Sequence, residues 1–155
     1  MQQDSWTTKM CSAIDKMEEF YTNLNKSVFV LDSSYILSNY ILPLAYITLV
    51  PSVVLAELWG LQKNGNVKKR AKYATKVTEK YITENEIFSL IDLQEFDEVD
   101  KIFKHIKKKG KDNDGLILSL CIFLQHQNPH KQIVLLTNDR ELKKRCKREG
   151  IKTEI

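Results

Sequence analysis

The sequence is poor in the residues that staple or anchor small proteins. Cysteine occurs three times in 155 residues, at Cys11, Cys121 and Cys146. An odd number without paired ligand spacing excludes a disulfide framework and a zinc knuckle and predicts free thiols. Histidine is equally scarce. His126 and His130 stand four apart, but Pro129 between them disfavours one continuous helix and no third ligand is near, so a surface loop is expected there. The longest apolar stretch, Tyr35 to Val54, is broken by Asn39, Pro43 and Pro51 and does not read as a membrane span. The N-terminal segment carries Asp4, Asp15, Glu18 and Glu19 and lacks an uninterrupted apolar core, which argues against a secretory signal or a transit peptide. The expectation is a soluble protein, nuclear or cytoplasmic and not secreted, with no membrane association. Internal repeats and low-complexity segments are missing as well.

What is present has the proportions of one compact domain, with 43% hydrophobic and 28% charged residues. Met10, Ala13, Ile14, Met17, Phe20, Tyr21 and Leu24 recur at helical spacing, so residues 1–25 read as a helical extension packed on a main body at 26–155. Val28-Phe29-Val30-Leu31 is a short continuous apolar run, as expected of a strand buried on both faces, and Asp32 stands at its end. Ser33 and Ser34 can cap the following helix, which reads as far as Leu44 with its exit at Pro43. Tyr46 to Val50 is a second strand, and Pro51 and Ser52 start a helix carrying Glu57.

Gly65-Asn66 precedes a basic helix from Val67 to Tyr81, and Ile87 to Ile91 reads as a third strand. Phe96, Val99, Ile102, Phe103 and Ile106 mark another helix. Asp112-Asn113-Asp114 caps an apolar helix, Leu116 to Leu124, that Asn128-Pro129 ends. Ile133 to Thr137 is the clearest strand, followed by Asn138-Asp139, a basic helix to Gly150 and a last strand from Lys152 to Ile155. Short unalternating strands that alternate with helices imply an α/β domain with a mostly parallel central sheet and helices on both faces.

In such sheets ligands bind outside the carboxyl ends of the strands. Asp32 and Asp139 occupy strand-to-helix turns, while Glu57 and Asp114 lie on early helix turns that can project to the same edge. A shared acidic pocket follows. Two unit charges about 4 Å apart at an effective dielectric near 20 repel by roughly 4 kcal/mol, which a divalent cation relieves. Mg²⁺ and Mn²⁺ prefer oxygen ligands, so no His or Cys is required. Such an ion lowers the pKa of water and stabilises charge on a phosphodiester. The competing explanation for each acid is helix capping, which is strongest for Asp114.

The net charge of +4 is modest, but the positive residues are grouped. Lys68, Lys69, Arg70, Lys72 and Lys76 form one run; Lys104, Lys107, Lys108, Lys109 and Lys111 a second; Lys143, Lys144, Arg145, Lys147 and Arg148 a third. A solvated helix face is the plain reading of any single run. The second and third flank Asp114 and Asp139, where they can hold a phosphate backbone with little sequence preference. Tyr73 and Trp59 are read as packing residues, Tyr73 with base stacking as the alternative.

The segments FVLDSSYIL, VPSVVLAELWGL, DNDGLILSL and IVLLTNDRELKKRCKREGI resemble, in order and spacing, the PIN-domain ribonuclease family over residues 28–155. The last block is similar to the eukaryotic branch, which includes endonuclease domains of nonsense-mediated decay, the exosome and nuclear mRNA quality control. The resemblance implies a single PIN-like domain with Asp32, Glu57, Asp114 and Asp139 as catalytic and metal-binding residues for Mg²⁺ or Mn²⁺. Ser34, Thr137 and Asn138 would support the site, and Lys107, Lys108, Lys109, Lys111, Arg140, Lys143 and Lys144 would bind RNA. It further implies a metal-dependent endoribonuclease cutting single-stranded RNA in processing, decay or quality control, with protein partners in an RNA-processing complex. The family's first motif is often Asp-Thr-Asn, where this chain has Asp32-Ser33-Ser34. Gly115 stands where some relatives carry a second acid, for which Asp112 is the nearby substitute.

These departures motivate the alternative of a catalytically inactive PIN-like module that binds protein or RNA. Other doubly wound proteins fit less well: an aspartate-nucleophile phosphatase needs a second Asp where Ser34 stands, and a metal-dependent adhesion domain needs a Ser at Ile36. A bacterial toxin of the same fold is disfavoured by the N-terminal extension and the eukaryote-like last motif.

Overall fold

The unalternating apolar runs are strands because helices cover both of their faces. A computed structural model describes residues 5–38, 46–63 and 65–154, with the backbone alone for 19–25. In chain order it contains α1 (Ser5–Lys26), β1 (Ser27–Leu31), α2 (Ser33–Ser38), β2 (Ile47–Pro51), α3 (Ser52–Leu61), α4 (Lys68–Glu84), β3 (Phe88–Ile91), α5 (Asp97–Ile106), α6 (Asn113–Gln127), β4 (Gln132–Leu136), α7 (Arg140–Arg148) and β5 (Lys152–Glu154). The expected continuation of α2 to Leu44, and its exit at Pro43, lie outside the described residues. Pro51 ends β2 and takes the N-cap position of α3, one place earlier than a first helical turn.

All five strands pair in parallel, in the order β3-β2-β1-β4-β5. The chain moves outward from β1 through β2 to β3, then returns to build β4 and β5 on the other side. Right-handed crossovers therefore place α2, α3 and α4 on one face and α5, α6 and α7 on the other. β1 lies at the centre with Val30 and Leu31 fully buried, and Leu135 of β4 beside it is equally inaccessible. The strand order reverses between β1 and β4, which makes their carboxyl ends the switch point of the sheet.

On the apolar side of α1, Trp6, Met10, Ile14 and Met17 are exposed, while the side chains of Phe20, Tyr21 and Leu24 lie outside the described residues. Trp59 and Tyr73 are exposed too, so neither serves as core. α4 instead packs through Ala71, Ala74, Thr75 and Thr78, with the threonine hydroxyls donating to the carbonyls of Ala71 and Ala74. Its basic run is solvated, as the plain reading expects. The three cysteines are free, Cys121 and Cys146 being buried, and burial pushes the Cys146 thiol up to about 12. His126 lies in the last turn of α6 rather than in the expected loop, and His130 in the turn that follows, both exposed. Among the described residues no helix is long and apolar enough to cross a membrane.

One buried ion pair ties α5, α6 and α7 together. Asp112 is the N-cap of α6 and accepts from Gly115 N at 3.0 Å and Lys108 N at 2.9 Å. Arg145 donates through Nη1 to Asp112 Oδ1 at 2.8 Å, and through Nη2 to Asp112 Oδ2 at 2.9 Å and the Ile106 carbonyl at 3.1 Å. Arg145 therefore leaves the solvated face expected of its basic run. The guanidinium holds the Asp112 carboxyl well below the usual carboxylate range, aided by the two backbone N–H groups and opposed by burial.

A depressed folded-state pKa contributes stability above the unfolded value, and that stability is lost as the pH falls through the folded one. Replacing Asp112 by Ala strands a buried guanidinium and should destabilise the domain by about 3–5 kcal/mol at pH 7. In denaturant titrations the gap between wild type and variant should narrow below about pH 4, where the unfolded carboxylate protonates.

Candidate active site

Four carboxylates approach one another where the strand order reverses. Asp32 directly follows β1, is buried, and is held to β4 by its own N–H, donated to the Leu136 carbonyl at 3.0 Å. Thr137 directly follows β4, and Asp139 two residues later caps α7. Glu57 comes from the middle of α3 and Asp114 from the first turn of α6.

Two hydroxyls aim at Asp32. Ser34 Oγ donates to Asp32 Oδ2 at 2.7 Å, and Thr137 Oγ1 donates to the same oxygen at 2.7 Å. Each hydroxyl is itself an acceptor, Ser34 from Asn138 N at 3.1 Å and Thr137 from Asp139 N at 3.0 Å. Backbone donors therefore fill the acceptor sides and leave each hydroxyl proton for the carboxylate. The Asn138 side-chain amide also reaches the Ser34 carbonyl, at 3.4 Å. Ser34, Thr137 and Asn138 thus lock the β1 and β4 turns to each other, and Ser34 supplies a hydroxyl donor to Asp32.

Glu57 is the least satisfied member. Ser33 Oγ, expected only as a cap, donates to Glu57 Oε2 at 3.1 Å. Glu57 Oε1 is buried without a hydrogen-bond partner among the described residues. The Asn113 amide lies near enough to favour the charged form without completing a bond to that oxygen. Burial raises the Glu57 pKa, opposed by the Ser33 bond, and the charges of Asp32 and Asp114 raise it further. Asp114 is pushed up to about 6 by burial and then by the charges of Asp32 and Asp139, with Arg145 pulling the other way. Asp114 thus lies in the field of Asp32 and Asp139, and Glu57 in that of Asp32 and Asp114.

Within the expected Asp112-Asn113-Asp114 cap, Asp112 is the residue whose side chain caps α6, and Asp114 stands in the first turn without a capping bond. Asp139 does cap α7, its Oδ1 accepting from Glu141 N at 2.9 Å and Leu142 N at 3.2 Å. Asp112 is consumed by Arg145 and does not replace the acid that relatives carry at the position of Gly115. A Cβ at Gly115 would collide with the Asp112 carboxylate and stand 3.1 Å from Arg145 Nη2, so the ion pair explains the glycine.

The donor set consists of oxygens alone, which suits a hard divalent cation. Among the described residues no three of the acids are drawn close enough to ligate one ion together. The basic elements lie beside the cluster. Lys107, Lys108, Lys109 and Lys111 form an exposed loop leading into α6; Arg140 and Lys144 are exposed on α7, where Lys143 is half-buried. Lys144 makes a solvated contact with Glu141 at 3.5 Å.

The raised Asp114 pKa costs stability once the group ionises. The contribution is fully favourable below the unfolded value and is lost as the pH rises to about 6. In EDTA, Asp114→Asn should therefore melt above wild type at pH 7, by a few degrees at most because water screens a half-buried group, and the gap should close towards pH 4.

Residues 29–155 match the family model described as PIN domain. Among solved structures, the PIN domain of RRP44 from T. brucei is similar in fold, with a TM-score of 0.54 at 13% identity over 83% of this chain and 74% of that one. The comparison with curated protein sequences finds no match. Members of the matched family are generally nucleases and typically use divalent metals. With the matched stretch running from β1 through β5 and the acids at its switch point, this chain belongs to the PIN domain family.

Proposed function

We propose that the protein is a divalent-metal-dependent endoribonuclease acting on single-stranded RNA. The observation that carries this reading is the crowding of Asp32, Glu57, Asp114 and Asp139 at the switch point, with Glu57 Oε1 buried and unpartnered. Mg²⁺ or Mn²⁺ would be held by these four residues and their waters, and when bound would activate water and stabilise charge on the phosphate. Hydrolysis adds water across the phosphodiester P–O3′ bond: the hydroxyl goes to phosphorus and a proton to O3′, leaving 3′-hydroxyl and 5′-phosphate ends.

The chain's own residues prepare that event. Ser34 and Thr137 fix the Asp32 carboxylate before substrate arrives, and Ser33 does the same for Glu57. Lys107, Lys108, Lys109 and Lys111 on one side, with Arg140, Lys143 and Lys144 on the other, supply phosphate contacts that orient a strand without reading its sequence. The Asp112–Arg145 pair holds the lysine loop against α7, so the two basic elements keep a fixed separation.

Cleavage of a labelled single-stranded RNA in Mn²⁺ tests the reading. Asp32→Asn should lower the rate at least 10²-fold with the circular dichroism spectrum unchanged. Thr137→Val, which keeps the volume but removes the donor to Asp32, should lose about 10–100-fold. Absence of both metal binding and cleavage in the wild type, with RNA or protein binding retained, contradicts the proposal and supports an inactive module.

A further inference from the structure

On the β2–β3 side of the acids the sheet edge holds a cavity of about 780 Å³ that no catalytic step uses. Its walls include Val53 and Ala56 of α3, Phe96 at the start of α5 and Leu116 of α6. Ala56 precedes Glu57 in α3, and Leu116 follows Asp114 by two positions in α6, so the cavity shares two helices with the candidate active site although none of the four acids lines it. Its size suits a small organic group such as a nucleoside.

Three features define what fits. The floor is apolar and includes the half-buried Phe96 ring, braced by Phe123 with ring centroids 5.5 Å apart. Among the described residues that line the cavity, none is basic, while Asp92, Asp97 and Asp100 stand on its exposed rim. An acidic lining repels phosphate, so the backbone of a nucleic acid stays outside. These carboxylates also do not gather into a metal-ligating group among the described residues. The complementary ligand is flat and apolar in body, with hydrogen-bond donors on its edge.

The rim carboxylates are not equivalent. Asp92 Oδ1 accepts from Gln94 N at 3.0 Å, and Asp100 pairs with Lys104 at 3.1 Å. Asp97 has no partner among the described residues. A carboxylate offers two adjacent acceptor oxygens. Of the four RNA bases, guanine alone presents two adjacent donor groups, N1–H and N2–H₂, on its Watson–Crick edge. Unstacked bases are read in this way, against an aromatic face and along that edge.

We infer that the cavity binds one unpaired guanine of the substrate strand, stacked on Phe96 and paired along its edge with Asp97. The inference rests on the nuclease reading for the identity of the ligand. It gives the site a base preference that the basic loop and α7 do not supply.

Binding and cleavage separate the two claims. Fluorescence anisotropy with the unmodified chain in EDTA, where metal-dependent cutting is silent, compares short single-stranded RNAs that carry guanine, inosine or adenine at one position in an otherwise uridine strand. Guanine should bind about tenfold tighter than adenine, with inosine, which lacks the N2 amino group, between them. Asp97→Asn should erase the difference. Ala56→Trp, which fills the cavity from α3, should erase it independently of any effect on the start of α5. Equal affinities for the three strands, or no binding at all, overturn the inference. Cleavage in Mn²⁺ without base preference likewise overturns the inference and leaves the nuclease reading standing, whereas guanine-selective binding without cleavage in any metal contradicts the nuclease reading alone.

Discussion

Carboxylates crowded at a sheet edge, with Asp114 facing the charges of Asp32 and Asp139 and Glu57 those of Asp32 and Asp114, are a destabilising arrangement, and much of the local structure is a response to it. The acids arrive from β1, α3, α6 and the β4–α7 turn because the order β3-β2-β1-β4-β5 reverses there. Hydroxyls from Ser33, Ser34 and Thr137 supply donors where mobile water would otherwise be needed. That supply is incomplete: among the described residues Glu57 Oε1 has no donor, and Asp114 holds its proton up to about 6. The residual imbalance is of the kind that a divalent cation corrects, and the family to which the chain belongs typically uses one.

A second charge arrangement works beside the first in the opposite sense. Asp112 and Arg145 neutralise each other inside the protein, two residues from Asp114, and remove Asp112 from any role as a ligand. Their packing leaves room only for a glycine at 115. Proximity in sequence to the acids therefore does not imply membership of the site, and each carboxylate has to be judged by its partners.

The fold was legible because its strands are buried on both faces. Continuous apolar runs such as Val28–Leu31 and Ile133–Leu136 leave little alternative to a covered parallel sheet, and Asp32 and Asp139 could be read directly from the ends of those runs. Asp114 was harder, because Asp112, Asn113 and Asp114 all have capping chemistry; the choice depends on Arg145, which lies 33 residues from Asp112 in sequence. Ser33 adjoined the site in sequence, yet its bond to Glu57 spans 24 positions. For the first turns of α1 and for Trp59, apolar periodicity identifies a face but not what covers it, and Trp6, Met10, Ile14, Met17 and Trp59 are exposed. The cavity beside the acids is assembled from α3, β3, α5 and α6, each contributing ordinary packing residues, so no local pattern announces it.

The account stands or falls on whether the acids share a cation. A crystal of the protein soaked in Mn²⁺ and measured at the manganese absorption edge decides this directly. The predicted result is an anomalous peak bounded by Asp32, Glu57, Asp114 and Asp139, with Glu57 Oε1 turned to it. Manganese absent from that cluster at saturating concentration, or bound only at the Asp92–Asp97–Asp100 rim, would contradict it.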